Sequence, residues 1–434
     1  MSDASYVRTE MVSEQAAPNA AIGPVRWARE NLFSGWFNTL LTLVSLYVVW
    51  QLLQHIWPWF AHSVWEAESL QDCRRIIIER HGEGATGACF AVINERWKQF
   101  LFGFYPSELY WRPILTFCLM LLSLVPILFS AAPRKLLWLS IAFPGLAFWL
   151  LWGGSIFVPL VAYAGFVVGW LLHQAVSARF STLLGVIAGV FSALIWWLYL
   201  AGPVAGTLGE ALDFASLRQV NSQQFGGFLL SLVIGVTGIA VSLPIGIVLA
   251  LGRNSDMFFV KTICVGFIEF IRGVPLITLL LVASFLLNIF LPPGTNFDII
   301  LRVIIMVTLF ASAYMAEVVR GGLAALPSGQ YEAADALGLD YWKSMRLIIM
   351  PQALKISIPG IVNTFIGLFK DTTLVAIIGL LDPIGLTTAV RADSNWNGII
   401  WEIYGFIALI FFLICYGMSQ YSQYLERKLA TDHR

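Results

Sequence analysis

Lys370 and Asp371 stand side by side in a stretch, 356–380, that is otherwise without charge. A charge inside hydrocarbon costs at least ~2.5 kcal/mol on insertion scales, so such residues are retained for a reason. Asn363, Thr372 and Thr373 add hydrogen-bonding groups nearby. This set can serve a zwitterion, with the aspartate accepting from an ammonium and the lysine donating to a carboxylate. The competing reading is structural, a charged pair that braces the helix bundle or a subunit contact. Adjacent residues do not share a helix face, so each charge then needs its own partner unless the helix breaks here. Glu317 and Arg320, at i and i+3, read as an ion pair anchoring the end of a span. Arg272-Gly273-Val274-Pro275 reads as a helix break where another span enters the membrane. Snorkelling of Arg272 to lipid phosphate is favoured there over a gating role.

Other chemistries are excluded. None of the seven lysines follows a glycine, so there is no Gly-Lys phosphate loop. His55, His62, His81, His173 and His433 are scattered without metal-ligand spacing. No serine sits in a Gly-x-Ser-x-Gly elbow. No catalytic residue, no metal and no cofactor is therefore expected in this chain, and any ATP-driven step needs ATP and magnesium bound on another subunit.

The elements that position these residues are membrane spans. Of 434 residues 58% are hydrophobic and 12% charged, with mean hydropathy +0.77, the mark of an all-α polytopic membrane protein. Zero net charge gives no electrostatic footprint for nucleic acid. Ten segments approach the ~20 apolar residues a bilayer needs: 36–57, 113–131, 136–152, 156–175, 181–201, 225–251, 275–291, 299–319, 356–380 and 399–418. Pro144 and Gly145 interrupt the third, which can instead pair with the fourth as a re-entrant hairpin. The first 35 residues lack an apolar core, so a cytoplasmic tail and an uncleaved first span are expected. Short-loop basic residues (Arg26, Arg29, Arg134, Lys135, Arg179, Arg253, Lys261, 320–355, Arg427, Lys428) all fall on one side of a ten-span chain. That side is the cytoplasm, and both termini with it.

The longest loop on the other side, 60–112, holds Cys73 and Cys89. In an oxidising compartment these two are disulfide candidates, while Cys118, Cys264 and Cys415 lie in or near apolar segments as packing residues. Trp97, Tyr105 and Trp111 suggest that the loop is a folded cap.

Between the eighth and ninth spans, 328–353 reads as a helical hairpin. Ser328 can cap its first helix and Gly338 can end it in the left-handed conformation. Asp340 can cap a second helix, which Pro351 stops. An alanine-rich helix of about ten residues, roughly 15 Å long, is slim enough to dock in a narrow cleft. Ala333, Ala334 and Leu337 give it an apolar face, with Gln330 and Glu332 as polar contacts. An ordinary interhelical loop explains the polarity of this segment but not the spacing of Glu-Ala-Ala, Leu-Gly and Pro.

The hairpin resembles the cytoplasmic coupling loop of ABC-importer permeases. Gly226-Gly227-Phe228-Leu229-Leu230-Ser231-Leu232, Phe270-Ile271-Arg272-Gly273-Val274-Pro275-Leu276, Tyr314 to Gly322 and Phe369-Lys370-Asp371-Thr372-Thr373-Leu374 fall in the order found in the polar amino-acid uptake family of those permeases. Thr373 stands where the commoner form has serine. The resemblance implies a type I five-helix core over 225–424, with a coupling loop at 320–355, followed by a cytoplasmic tail at 425–434. The preceding region, 36–224, adds about five helices and resembles the longer permease subunit of bacterial uptake systems for glutamate, glutamine, aspartate and asparagine. The resemblance further implies an inner-membrane heterodimer with a second, homologous permease in contact with membrane lipid. Separate ATP-binding cassette ATPase subunits and a periplasmic amino-acid-binding protein complete the expected system. Family-wide motifs more often brace a fold than select a ligand, which favours the brace reading of Lys370-Asp371. An ion-gradient-driven secondary transporter is the main alternative; it predicts inverted repeats and ion ligands at the midplane, and no repeat between the halves is visible. A non-transporting scaffold leaves the cost of Lys370-Asp371 without a return.

Overall fold

The computed structural model describes residues 23–129, 131–212, 216–290 and 298–429, apart from the side chains of 286–288 and 290. The tail before residue 23, Leu291 at the end of the seventh expected span, the last five residues of the C-terminal tail and His433 lie outside the described residues. The chain divides into two compact units, one ending at Ala91 and the other beginning at Val92.

The first unit holds α1 (Pro24–Asn31), α2 (Trp36–Ala61) and α3 (Leu70–His81). Within it α2 buries no residue, the pattern of an apolar helix solvated by lipid. Ser69 caps α3 by accepting from the Asp72 N–H at 3.1 Å. That cap places Cys73, fully buried, in the first turn, where it is disulfide-bonded to Cys89 with the Cα atoms 5.9 Å apart. Val64 and Cys89 form a backbone bridge beside it, and Trp59, Phe60, Trp65 and Phe90 pack edge-on or tilted around the same segment. Cys118, Cys264 and Cys415 carry free thiols.

The second unit opens with α4 (Ala91–Phe102), α5 (Trp111–Leu128), α6 (Leu137–Trp152) and α7 (Phe157–Ser177). The 136–175 region is thus two separate helices, and Pro144 lies inside α6 without ending it. The fifth span outruns its expected end. Here α8 (Thr182–Ile195) passes through a wide π turn, Trp196–Leu200, into α9 (Ala201–Ala211). A two-residue antiparallel pair, β1 (Gly154–Ser155) and β2 (Ser216–Leu217), joins the α6–α7 corner to the approach of the next helix.

Then follow α10 (Gly227–Arg253), α11 (Phe258–Gly273), α12 (Leu276–Phe290), α13 (Ile299–Ala324), α14 (Ser328–Ala336), α15 (Tyr341–Ser344), α16 (Met350–Asp371), α17 (Pro383–Arg391) and α18 (Trp401–Leu429). The span expected to begin at Pro275 is preceded by a further helix, α11. In the structure α11 and α12 together form a span bent by 101° at the Val274-Pro275 break. Among the described residues nine helices are long and apolar enough to cross a membrane, ten when this bent pair counts as one.

The core centres on α13, which packs on α10, α11, α12 and α16. Leu230 and Ile234 of α10, Leu280 of α12, Ile300 and Val307 of α13 and Val375 form one buried cluster, which Tyr105, Leu151 and Val220 of the preceding region also join. That region is fastened further by Arg96, whose Nη2 lies 2.5 Å from Asp393, and by Trp396, whose indole N–H donates to Glu95 at 3.1 Å.

Asp382 caps α17, accepting from the Ile384 and Gly385 N–H groups at 3.1 and 2.8 Å. It lies between the spans and is fully buried, and burial pushes its carboxyl up to about 6 against the pull of those N–H donors. The folded protein therefore binds this proton more tightly than the unfolded chain, where aspartate titrates near ~3.9. The stability it contributes is full below about pH 4, falls as pH rises towards 6, and is level above that. Asp382→Asn keeps an oxygen for the two caps and is expected to abolish this slope. Apparent melting temperatures across pH 4 to 7 measure it; an unchanged slope assigns the dependence to another group.

Candidate functional site

The hairpin is built as two helices joined through Gly338, though not capped as expected. Ser328 does not cap α14: Pro327 occupies that position in extended conformation, and no side chain bonds to the first turn. The helix starts one residue earlier than the cap reading requires. Gly338 does adopt the left-handed conformation, φ +68°, which costs other L-residues roughly 1–2 kcal/mol. A Cβ there meets nothing within 4 Å, so a side chain strains the backbone without clashing. Asp340 caps α15 by accepting from the Lys343 N–H at 2.9 Å, and the Lys343 backbone and ammonium hold its carboxyl below the usual range.

Pro351 does not stop the second helix. From α15 the chain winds through a π turn, Met345–Ile349, straight into α16. Proline lacks an N–H and crowds the carbonyl four residues back, and the wider turn just before it absorbs both defects. The hairpin is therefore continuous with the longest span, 341–378. Gln330 tightens this joint, accepting from the Gln352 amide at 3.2 Å.

Exposure sorts the expected contact residues. Glu332, Ala333, Leu337 and Gly338 are exposed, whereas Ala334 is fully buried and faces the protein. The slim apolar face is thus not the run Ala333-Ala334-Leu337. The large apolar side chains that the hairpin leaves most exposed are Leu337, 74% exposed, Trp342, 70% exposed, and Leu347, 65% exposed. Sequence reading passed over the last two, although large apolar side chains in a polar hairpin were a visible signal.

Where the hairpin leaves α13, Glu317 collects charge from three helices. Its carboxylate lies 2.9 Å from Arg253 Nη1 of α10, 3.8 Å from Arg272 Nη1 of α11 and 3.1 Å from Arg320 Nε of α13. Arg253 also pairs with Glu269 at 2.8 Å. The expected Glu317–Arg320 pair is present but is one part of a larger cluster. Arg272 is exposed, and its guanidinium lies 5.5 Å from the Tyr314 ring centre as well as beside Glu317. Pro275 sits at the bend between α11 and α12. Sequence reading placed Arg253 among the cytoplasmic basic residues but missed its pairing with Glu269, because the two are 16 residues apart and no local spacing joins them.

The polar residues of α16 divide between two faces. Asn363 and Lys370, seven residues apart, are exposed with Ile356 and Pro359, while Ala353, Ser357, Ile361 and Leu368 face the core. Asp371 is half-buried at the junction with a 3-10 turn, Thr372–Ile378. Thr372 is fully buried and its hydroxyl donates to the Phe369 carbonyl at 2.7 Å. It therefore does not share the open face with Asn363 and Lys370, because the tighter turn rotates it inward. Thr373 donates to the Lys370 carbonyl at 2.9 Å. Among the described residues neither Lys370 nor Asp371 has a salt bridge or side-chain hydrogen bond. No cluster of three or more metal-ligating side chains occurs among the described residues.

Residues 242–431, from α10 to the end of α18, match the family described as the binding-protein-dependent transport system inner membrane component. The whole chain is 60% identical to the glutamate/glutamine/aspartate/asparagine transport system permease protein BztC of Rhodobacter capsulatus, with 100% of both proteins covered. It is 39% identical to the inner membrane amino-acid ABC transporter permease protein YhdY of Escherichia coli, over 93% of each. A crystal structure of an amino acid ABC transporter with histidines aligns at 30% identity and a TM-score of 0.42, over 46% of this chain and 91% of that one. Identity sustained through the N-terminal helices as well as the core means that this chain belongs to the amino-acid ABC-transporter permease family.

Proposed function

We propose that this permease carries L-amino acids of the glutamate, glutamine, aspartate and asparagine class into a bacterial cell. The observation that carries this reading is full-length identity of 60% to a relative named for those four substrates. The hairpin face is the cytoplasmic one, since Arg134, Lys135, Arg179, Arg253 and Arg320 gather at the same ends of their spans. The other end, with the disulfide-bearing segment, faces the periplasm and receives substrate from a binding protein. A second permease completes the pathway, and separate ATPase subunits bind ATP and magnesium.

Leu337, Trp342 and Leu347 dock the hairpin on an ATPase subunit. Because α15 runs unbroken into α16, displacement of the hairpin shifts the whole span that carries Asn363, Lys370 and Asp371. ATP binding and hydrolysis thus bias two arrangements of the helix bundle. Gln330 and the Glu317 cluster hold the root of the hairpin rigid against α13 and α16, so that movement is transmitted rather than absorbed.

Lys370 donates to the substrate carboxylate and Asp371 accepts from its ammonium. Both groups read the part common to all amino acids, which suits a broad substrate range. Lys370→Gln is expected to lower uptake roughly 10- to 100-fold, the loss of one charge-assisted bond, without lowering the melting temperature of the assembled complex. Glutamate uptake into proteoliposomes that contain the complete complex, with and without internal ATP, tests the whole reading. Uptake that follows an ion gradient and ignores ATP overturns it. Loss of assembly in Lys370→Gln, with normal uptake by the surviving complex, moves Lys370 to a brace against the second permease.

A further inference from the structure

An open groove of about 270 Å³ runs between α6 and α7, and no part of the transport mechanism uses it. Trp138, Ala142, Gly145 and Trp149 form its α6 wall, Pro159 and Tyr163 much of its α7 wall. The α6 residues repeat at intervals of three and four, so they form one stripe along the helix. From Trp138 to Trp149 that stripe is roughly 16 Å long.

Beside Pro144 a phenol from α7 reaches the backbone of α6. The Tyr163 hydroxyl accepts from the Gly145 N–H at 3.0 Å and donates to the Ile141 carbonyl at 2.8 Å. It spans the donor and acceptor that an α-helix pairs directly. A Cβ at Gly145 falls 2.5 Å from the Tyr163 ring, so only glycine allows this approach. The phenol is consumed in these bonds, and the walls offer almost nothing polar to an occupant.

Arg134 and Lys135 lie just before α6, in the 3-10 turn Arg134–Leu136 that leads into it. Both are exposed, and among the described residues neither has an ion pair or side-chain hydrogen bond. Two exposed cations thus precede, by one turn of chain, the Trp138 end of an apolar, tryptophan-lined groove on helices long and apolar enough to cross the membrane. We propose that this groove binds one anionic phospholipid, its acyl chain lying along α6 between Trp138 and Trp149 and its phosphate held by Arg134 and Lys135. A protein helix fits the groove's apolar walls but gives the two cations nothing to bind. A zwitterionic lipid answers them only in part.

Native mass spectrometry of the full chain purified in detergent, titrated with dioleoyl phosphatidylglycerol or dioleoyl phosphatidylcholine, tests this. The phosphatidylglycerol adduct is expected to be favoured tenfold or more, since each juxtamembrane cation contributes about a fivefold preference. Arg134→Gln with Lys135→Gln is expected to erase the preference, and Ala142→Trp, which fills the groove, to weaken both adducts tenfold. The glutamine pair lies on the exposed surface and preserves the fold, so it decides the matter even where Ala142→Trp misfolds. Equal binding of the two lipids by the unaltered chain, binding of neither, or a preference that survives the glutamine pair overturns the proposal.

Discussion

Leu337→Asp is expected to leave the chain folded in the membrane while ATP-driven uptake falls roughly thirtyfold, the effect of removing an interface residue worth about 2 kcal/mol. Leu337 is 74% exposed and touches little of its own chain, so its replacement changes stability by no more than about 0.5 kcal/mol. The change therefore tests the docking on an ATPase subunit proposed for it. A carboxylate in a desolvated contact lacks a partner and disrupts docking. The measurement is paired: uptake by reconstituted complex and the apparent melting temperature of the same preparation. Normal uptake removes Leu337 from the contact with the ATPase. Gly338→Val acts at the same place by a different route. A β-branched residue at φ +68° strains the turn, whereas Gly338→Asn is expected to be tolerated because asparagine visits that conformation.

Glu317→Gln is expected to be the most destabilising single change in the helical core, at roughly 3 kcal/mol. The carboxylate is largely buried, and it pairs with Arg253, Arg272 and Arg320. An amide leaves three guanidiniums near one another, with Glu269 paired directly to Arg253 and attracting Arg272 and Arg320 from farther off. Arg253→Gln should cost much less, because Glu317 keeps two cations. Melting temperatures of the two variants in detergent rank them. A Glu317→Gln protein as stable as its parent shows that the cluster is solvated and that Glu317 does not hold α10, α11 and α13 together.

Much of this protein was written into local sequence. The apolar runs marked the spans because a bilayer offers the backbone no hydrogen bonds, so a helix of about 20 residues is almost the only solution. Glycine at 338 and aspartate at 340 fixed the hairpin turn, since backbone conformation and capping depend on a few neighbouring atoms. Other features depended on distant partners. Tertiary structure alone gathered Arg253, Glu269 and Arg272 around Glu317 from three helices, as charge pairing through space leaves no trace in spacing. It also turned Ala334 and Thr372 inward, because which face of a helix is buried depends on what packs against it. Pro144 and Pro351, each read as an interruption, were carried inside continuous helices by a phenol from α7 and by a π turn. A proline's lost hydrogen bond is a local fact, but whether it breaks a helix is decided by the groups the fold supplies to replace it.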